Sequence, residues 1–254
     1  MTIAAQQKTG GETRPRRVHY PSSDGKPLGE TDKHRNVIFY VIEALKTFFA
    51  DRTGDVYVSG DNFIYYEEGN PRARVSPDAY VVFGVPMRER DSYFTWREDG
   101  RRPAVVFEIT SRSTKNEDVV TKFERYERVL QVPEYFLFDP TGDYLRPRLQ
   151  GYRLGPDGRY ARLELTENGL HSAQLNLDLL IEGERLRLFD TQKGEPLPTP
   201  AELATRAQAE AANAQTQTAR ANAEADARAR AEAEIARLRA ELDALRPGSA
   251  PSEN

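Results

Sequence analysis

Residues 103–110 read Pro103-Ala104-Val105-Val106-Phe107-Glu108-Ile109-Thr110. The uninterrupted apolar run 104–107 has the pattern of a central strand buried on both faces. Glu108 is out of place in it, because a carboxylate in a buried strand is costly unless it is paired, protonated or bound to a cation. A second misplaced acid lies upstream, where Ser76-Pro77-Asp78 precedes the apolar run 79–83 within a strand expected over 74–83. Downstream, Val119, Phe123, Tyr126 and Leu130 recur at helical spacing and predict a helix over 117–131. Val132-Pro133 ends that helix, and 134–138 is a short apolar strand stopped by Asp139-Pro140. Strand, helix, strand in this order predicts a parallel crossover, hence an α/β fold.

Working outward, Val37, Tyr40, Val41, Ala44, Leu45 and Phe48 form the apolar stripe of a helix over 33–50, with Asp32 as its cap. Residues 56–59 and 62–66 read as strands around a Ser59-Gly60-Asp61 turn, and 87–102 as a polar loop. Short strand-like pieces across 144–190, with the turn Gly155-Pro156-Asp157-Gly158, predict an antiparallel appendage on the core. The proline-rich stretch 194–200 reads as a linker. After it, 201–247 is dominated by Ala, Glu, Arg and Gln, a composition that predicts one long helix. Glu224/Arg228 and Asp226/Arg230 are spaced to pair along it. Ile235, Leu238, Leu242 and Leu245 make a coiled-coil seam in its last two heptads, through which a homodimer could form. Residues 1–27 and 248–254 have disorder-prone composition, with a first ordered contact expected near 18–20. The compact domain is thus expected over 28–193.

Composition narrows the chemistry. The 254 residues carry no cysteine, which excludes disulfides, thiolate metal sites and cysteine nucleophiles. The three histidines are scattered and lack zinc-site spacing, and Gly60, Gly69 and Gly84 are isolated turn glycines rather than a phosphate-cradling loop. Residues 1–17 have no apolar core of signal-peptide length, and no run approaches the roughly 18 apolar residues of a membrane span. A cytoplasmic protein with no membrane association is the expectation. The net charge of −4 lacks the basic excess of a tight non-specific nucleic-acid binder. Any such contact must then rest on local clusters such as Arg88, Arg90, Arg97, Arg101, Arg102 and Arg112.

Asp78 and Glu108 on neighbouring strands could converge. Paired carboxylates of this kind suit Mg²⁺, or Mn²⁺, which takes one or two protein carboxylates and keeps several waters. Such an ion can polarise a phosphodiester and lower the pKa of an attacking water. Lys122, one helical turn after Asp118 and one before Tyr126, sits at the rim of the core stripe and is the candidate cation for the developing charge.

These segments together (Ser76-Pro77-Asp78, then 106–111, then Asp118, Lys122 and Tyr126, then 132–140) resemble the Uma-type restriction endonuclease family of the PD-(D/E)XK nuclease superfamily. The resemblance spans roughly 33–140. It implies a restriction-endonuclease-like mixed sheet flanked by helices, with Asp78 and Glu108 as metal ligands, Lys122 as the third catalytic residue, and nucleic acid, DNA before RNA, as substrate. The superfamily pattern has a lysine two residues after the acid, where this chain has Thr110; the resemblance implies that Lys122 substitutes for it. Glu43 is the first-helix candidate for a further acid.

Each residue also has a plainer reading. Asp78 could cap a turn, and Glu108 could be ion-paired with Arg112 or Lys122. Lys122 could be a solvated helix residue, and so could His34, whose sharper reading is that it touches the site from the first helix. Ser111 and Ser113 are read as helix caps, and Asp139 as shaping an Asp-Pro turn. The rival overall reading is a degenerate nuclease fold that acts as a binding module through its coiled coil.

Overall fold

The computed structural model describes residues 18–23, 31–50, 55–112 and 114–245. Contacts divide the chain into two units, 1–199 and 200–254.

The first unit opens, after Tyr20 packs edge-on against Tyr65 and Phe94, with α1 (Asp32–Ala50). The cap of α1 lies one residue earlier than the sequence indicates. Thr31 Oγ1 accepts the His34 N–H at 3.3 Å, while Asp32 sits inside the first turn, where a negative charge favours the helix dipole, and pairs with Arg35. Strands β1 (Val56–Ser59), β2 (Phe63–Tyr65), β3 (Arg74–Val75), β4 (Ala79–Phe83), β5 (Ser92–Phe94) and β6 (Val105–Ile109) follow. After a helical stretch come β7 (Glu134–Phe138), β8 (Leu149–Leu154), β9 (Tyr160–Arg162), β10 (Leu170–Ser172), β11 (Leu177–Glu182), β12 (Arg185–Asp190) and β13 (Glu195–Pro196).

Six of them form a mixed sheet in the order β1-β4-β6-β7-β8-β9, with β6 and β7 parallel and the other neighbours antiparallel. Both faces are apolar. Val105, Phe107 and Ile109 of β6 join α1 in one core, while Val106 joins Tyr126 and Leu130 of the following helical stretch in the other. Strand alternation therefore turns Glu108 towards that second helical layer.

The strand expected over 74–83 is two strands. β3 belongs to a small sheet of order β3-β2-β5, and β4 to the large one. Pro77, which has no N–H to give to a ladder, stands at the break, and its carbonyl accepts the Asp61 N–H at 2.9 Å. Asp78 thus sits where the chain passes from one sheet to the other. The appendage expected over 144–190 also divides: β8 and β9 extend the main sheet, while β10 to β13 form an antiparallel sheet of their own. That sheet shares the α1 core, where Tyr40 donates to the Leu197 carbonyl at 3.2 Å and accepts the Leu188 N–H at 3.0 Å. Consequently the stretch 194–200 is not a free linker. Its first part is β13, paired with β12, and Leu197 is buried.

The second unit is α2 (Pro200–Leu245), a 46-residue helix with no buried residue. Arg228 pairs with Glu232 at 2.9 Å and Arg237 with Glu234 at 2.8 Å, in place of the Glu224/Arg228 and Asp226/Arg230 pairs expected. No helix of the described residues is long and apolar enough to cross a membrane. The terminal segments 1–17 and 246–254 lie outside the described residues.

Candidate active site

The helical stretch between β6 and β7 is wound unusually. Ser111 opens it, its Oγ accepting the Thr114 N–H at 3.3 Å and its carbonyl the Lys115 N–H at 3.0 Å; Ser113 lies outside the described residues. Glu117–Lys122 and Arg125–Leu130 are then π-helical. In an α-helix of 3.6 residues per turn, residues four apart drift steadily around the axis. The looser π winding brings them back towards one line. Asp118, Lys122, Tyr126 and Leu130 are all buried along that line.

Two of these four meet Glu108, and a third reaches it through Lys122. Lys122 Nζ donates to Glu108 Oε2 at 2.7 Å, and the Tyr126 hydroxyl to Oε1 at 2.7 Å. The Lys122 ammonium also lies 3.3 Å from Asp118 Oδ1. Asp78 approaches from the other side. Ala79 pairs with Phe107, so Asp78 stands at the next position out, beside Glu108, and its Oδ2 accepts the Ile109 N–H at 2.6 Å. Gly60 permits this placement, since a Cβ there would lie 2.0 Å from the Asp78 carbonyl oxygen. From α1, His34 Nε2 reaches the Ile109 carbonyl and lies 3.7 Å from Asp78 Oδ2.

The sequence-derived residues Asp78, Glu108 and Lys122 therefore fall in one cluster, and the ion-pair partner of Glu108 is Lys122 rather than Arg112. Glu43 does not join it; half-exposed, it pairs with Lys46 at 2.9 Å. His34, expected in solvent, is buried against the site. Its signal was present in the sequence: it precedes Val37, Val41 and Leu45 on one helical face, a polar residue in line with an apolar stripe. The arginines suggested as a nucleic-acid face are largely engaged within the fold. Arg88 and Arg90 pair with Glu98, Arg97 covers the Phe94 ring, and Arg102 donates to the Val129 carbonyl. Asp139 shapes its turn as expected, taking five N–H and O–H donors from 141–145.

The electrostatics of the cluster are unbalanced. Three carboxyl groups, the buried Glu108 and Asp118 and the 14%-exposed Asp78, face one ammonium, so two of them lack a compensating charge whenever all three are ionised. Burial pushes the Asp78 carboxyl up to about 7 despite the opposing Lys122 charge, and raises Glu108 well above the carboxylate range. Asp118 is raised for the same reason. Lys122 is held protonated: the attraction of Glu108, Asp78 and Asp118 outweighs its desolvation.

This arrangement fixes a pH dependence. Asp78 titrates near 3.8 in an unfolded chain and about 7 in the fold, so the folded state keeps a proton that the unfolded state has lost. The associated stability is fully present below about pH 4 and is lost as pH rises through 7. In chelator, the melting temperature is expected to fall between about pH 5 and pH 8, by an amount corresponding to at most about 3 kcal/mol. Asp78→Asn should flatten the profile. A metal-free protein equally stable at both pH values would show that these acids are not desolvated.

The family model for Uma2, described as "Putative restriction endonuclease", matches residues 9–185. This chain belongs to the Uma2 family. Among solved structures, the Uma2 chain is similar to one titled as a putative nuclease belonging to DUF820 from Anabaena variabilis ATCC 29413. The two share 13% identity at a TM-score of 0.42, over 60% of this chain and 79% of that one. No curated protein matches the sequence. In this Uma2 member Thr110, two residues after Glu108, is buried, and the Lys122 ammonium donates to Glu108 Oε2.

Proposed function

We propose that this protein is a divalent-metal-dependent nuclease that hydrolyses phosphodiester bonds, in DNA before RNA, with Asp78 and Glu108 as metal ligands and Lys122 as the third catalytic residue. The observation that carries the reading is the charge imbalance of the cluster within a chain of this family. The two acids in excess of Lys122, which burial biases towards the protonated form, would match one divalent cation once they release their protons to it. The donors fit Mg²⁺ or Mn²⁺. Asp78, Glu108 and the Ile109 carbonyl offer hard oxygen atoms, and an ion that keeps several waters needs only one or two protein carboxylates; among the described residues no group of three or more His, Asp or Glu is placed to hold a metal ion.

When bound, the ion supplies charge compensation at the phosphate and lowers the pKa of the attacking water. Lys122 adds a fixed positive charge where the phosphate becomes more negative, without reorganising as it does so. Tyr126 keeps Glu108 oriented through its second oxygen. His34 donates its Nε2–H to the Ile109 carbonyl and stands next to Asp78, so it positions the end of β6 beside that carboxylate.

The degenerate-module reading draws on one fact: both oxygens of Glu108 are already hydrogen-bonded, so a ligand role requires them to share or exchange partners. Cleavage assays on double-stranded DNA, single-stranded DNA and RNA with Mn²⁺ or Mg²⁺ decide between the two. We expect metal-dependent cleavage that disappears in Asp78→Ala. Absence of cleavage on every substrate, together with no Mn²⁺ binding by titration calorimetry, would leave the binding module.

A further inference from the structure

We propose that the last three turns of α2 pair with the same segment of a second copy of this chain as a parallel, two-stranded coiled coil. The apolar residues there, Ile235, Leu238, Leu242 and Leu245, are between 47% and 81% exposed. Their spacing of three, four and three makes a narrow seam, as a helix uses against one other helix, rather than the broader face it turns to a globular core. A β-branched residue at the first seam position with leucine at the next favours two strands. The seam stops abruptly upstream, because the same count places Arg228 and Glu224 on it.

The flanking charges choose both occupant and direction. Glu234 and Glu241 precede the seam residues Ile235 and Leu242, and Arg239 follows Leu238. In a parallel pair each Glu234 faces Arg239 of the second copy, and two-fold symmetry makes the contact twice. In an antiparallel pair that aligns the same four apolar residues, Arg239 faces Arg239 and Glu241 faces Glu241, so like charges meet. Glu234 is already drawn to Arg237 of its own helix at 2.8 Å, so the gain from each cross-pair is modest. With only four apolar layers, association is weak.

The chain has no cysteine, so single cysteines report contacts cleanly in the full-length protein. Oxidised Leu242→Cys should give a disulfide-linked dimer, because equivalent seam residues lie side by side in a parallel coil, within disulfide reach. Ala240→Cys, on the outer face, should not. In sedimentation equilibrium, Arg239→Glu should weaken dimerisation about tenfold, and adding Glu234→Arg should restore it. Three results would each overturn the proposal: a wild-type chain that stays monomeric, equal cross-linking of Leu242→Cys and Ala240→Cys, or mixed Leu238→Cys with Leu242→Cys chains cross-linking in preference to like pairs, which marks an antiparallel coil. None of these readouts depends on the nuclease reading.

Discussion

Lys122→Met is expected to lower cleavage about a hundredfold or more, and also to weaken the metal-free fold. The catalytic loss follows from removing one positioned positive charge from a dry site. The stability loss follows from burial: methionine fills much of the volume but leaves Glu108, Asp78 and Asp118 with no ammonium beside them. Breaking a buried ion pair from one side costs about 3–5 kcal/mol. The loss should be largest above pH 7, where the folded acids would otherwise be ionised, and should shrink on acidification as they take up protons. Chemical denaturation at pH 5 and pH 8, run beside the cleavage assay, measures both effects. A variant that cleaves as fast as wild type removes Lys122 from the mechanism, and one equally stable at pH 8 removes the charge argument.

Glu108→Gln is expected to abolish cleavage while leaving the metal-free protein as stable as wild type or more so. Glutamine keeps the shape; its carbonyl oxygen can still accept from Lys122, while its NH2 can donate to the Tyr126 hydroxyl oxygen once that hydroxyl turns its proton away. The change reduces three carboxylates facing one ammonium to two, which relieves the imbalance. It also removes an anionic ligand, so Mn²⁺ affinity should drop at least about tenfold and activity about a thousandfold or more. The opposite signs of the two stability effects are the useful part. If Glu108→Gln destabilises as much as Lys122→Met, the pair is a structural ion bridge and not a site awaiting a cation.

Much of this was legible in the sequence, for identifiable reasons. The strands around Glu108 and 134–138 announced themselves because both faces are buried and the apolar runs are unbroken. Asp78, Glu108 and Lys122 stood out because each is a charge in or beside an apolar pattern. What escaped depended on tertiary contact. Pro77 divides a continuous apolar pattern between two sheets, a choice set by Asp61 and not by its immediate neighbours. β13 looks like linker because two residues carry almost no period, yet β12 and Tyr40 capture it. His34 lay in line with the α1 stripe, but its polar identity favoured solvent until the Ile109 carbonyl provided a buried partner. The local partners of the basic loop were likewise hidden: Arg88 and Arg90 pair with Glu98, and Arg90 and Arg97 lie over ring faces, while Arg88, Arg97, Arg101, Arg102 and Arg112 stay exposed.

The winding of the helix that carries Lys122 has a consequence for how such a chain can vary. Asp118, Lys122 and Tyr126 share a line because the turns between them are wider than α-helical. Dropping one residue from that stretch would let it relax to ordinary pitch, changing the spacing among Asp118, Lys122 and Tyr126 and carrying the phenol or the ammonium off Glu108. Length here is as much a part of the site as identity. Substitutions can be tried one at a time against a fixed frame, but insertions and deletions strike several contacts at once. The room for gaining or losing residues lies in stretches that carry none of this alignment, such as the hairpin turn at 155–158.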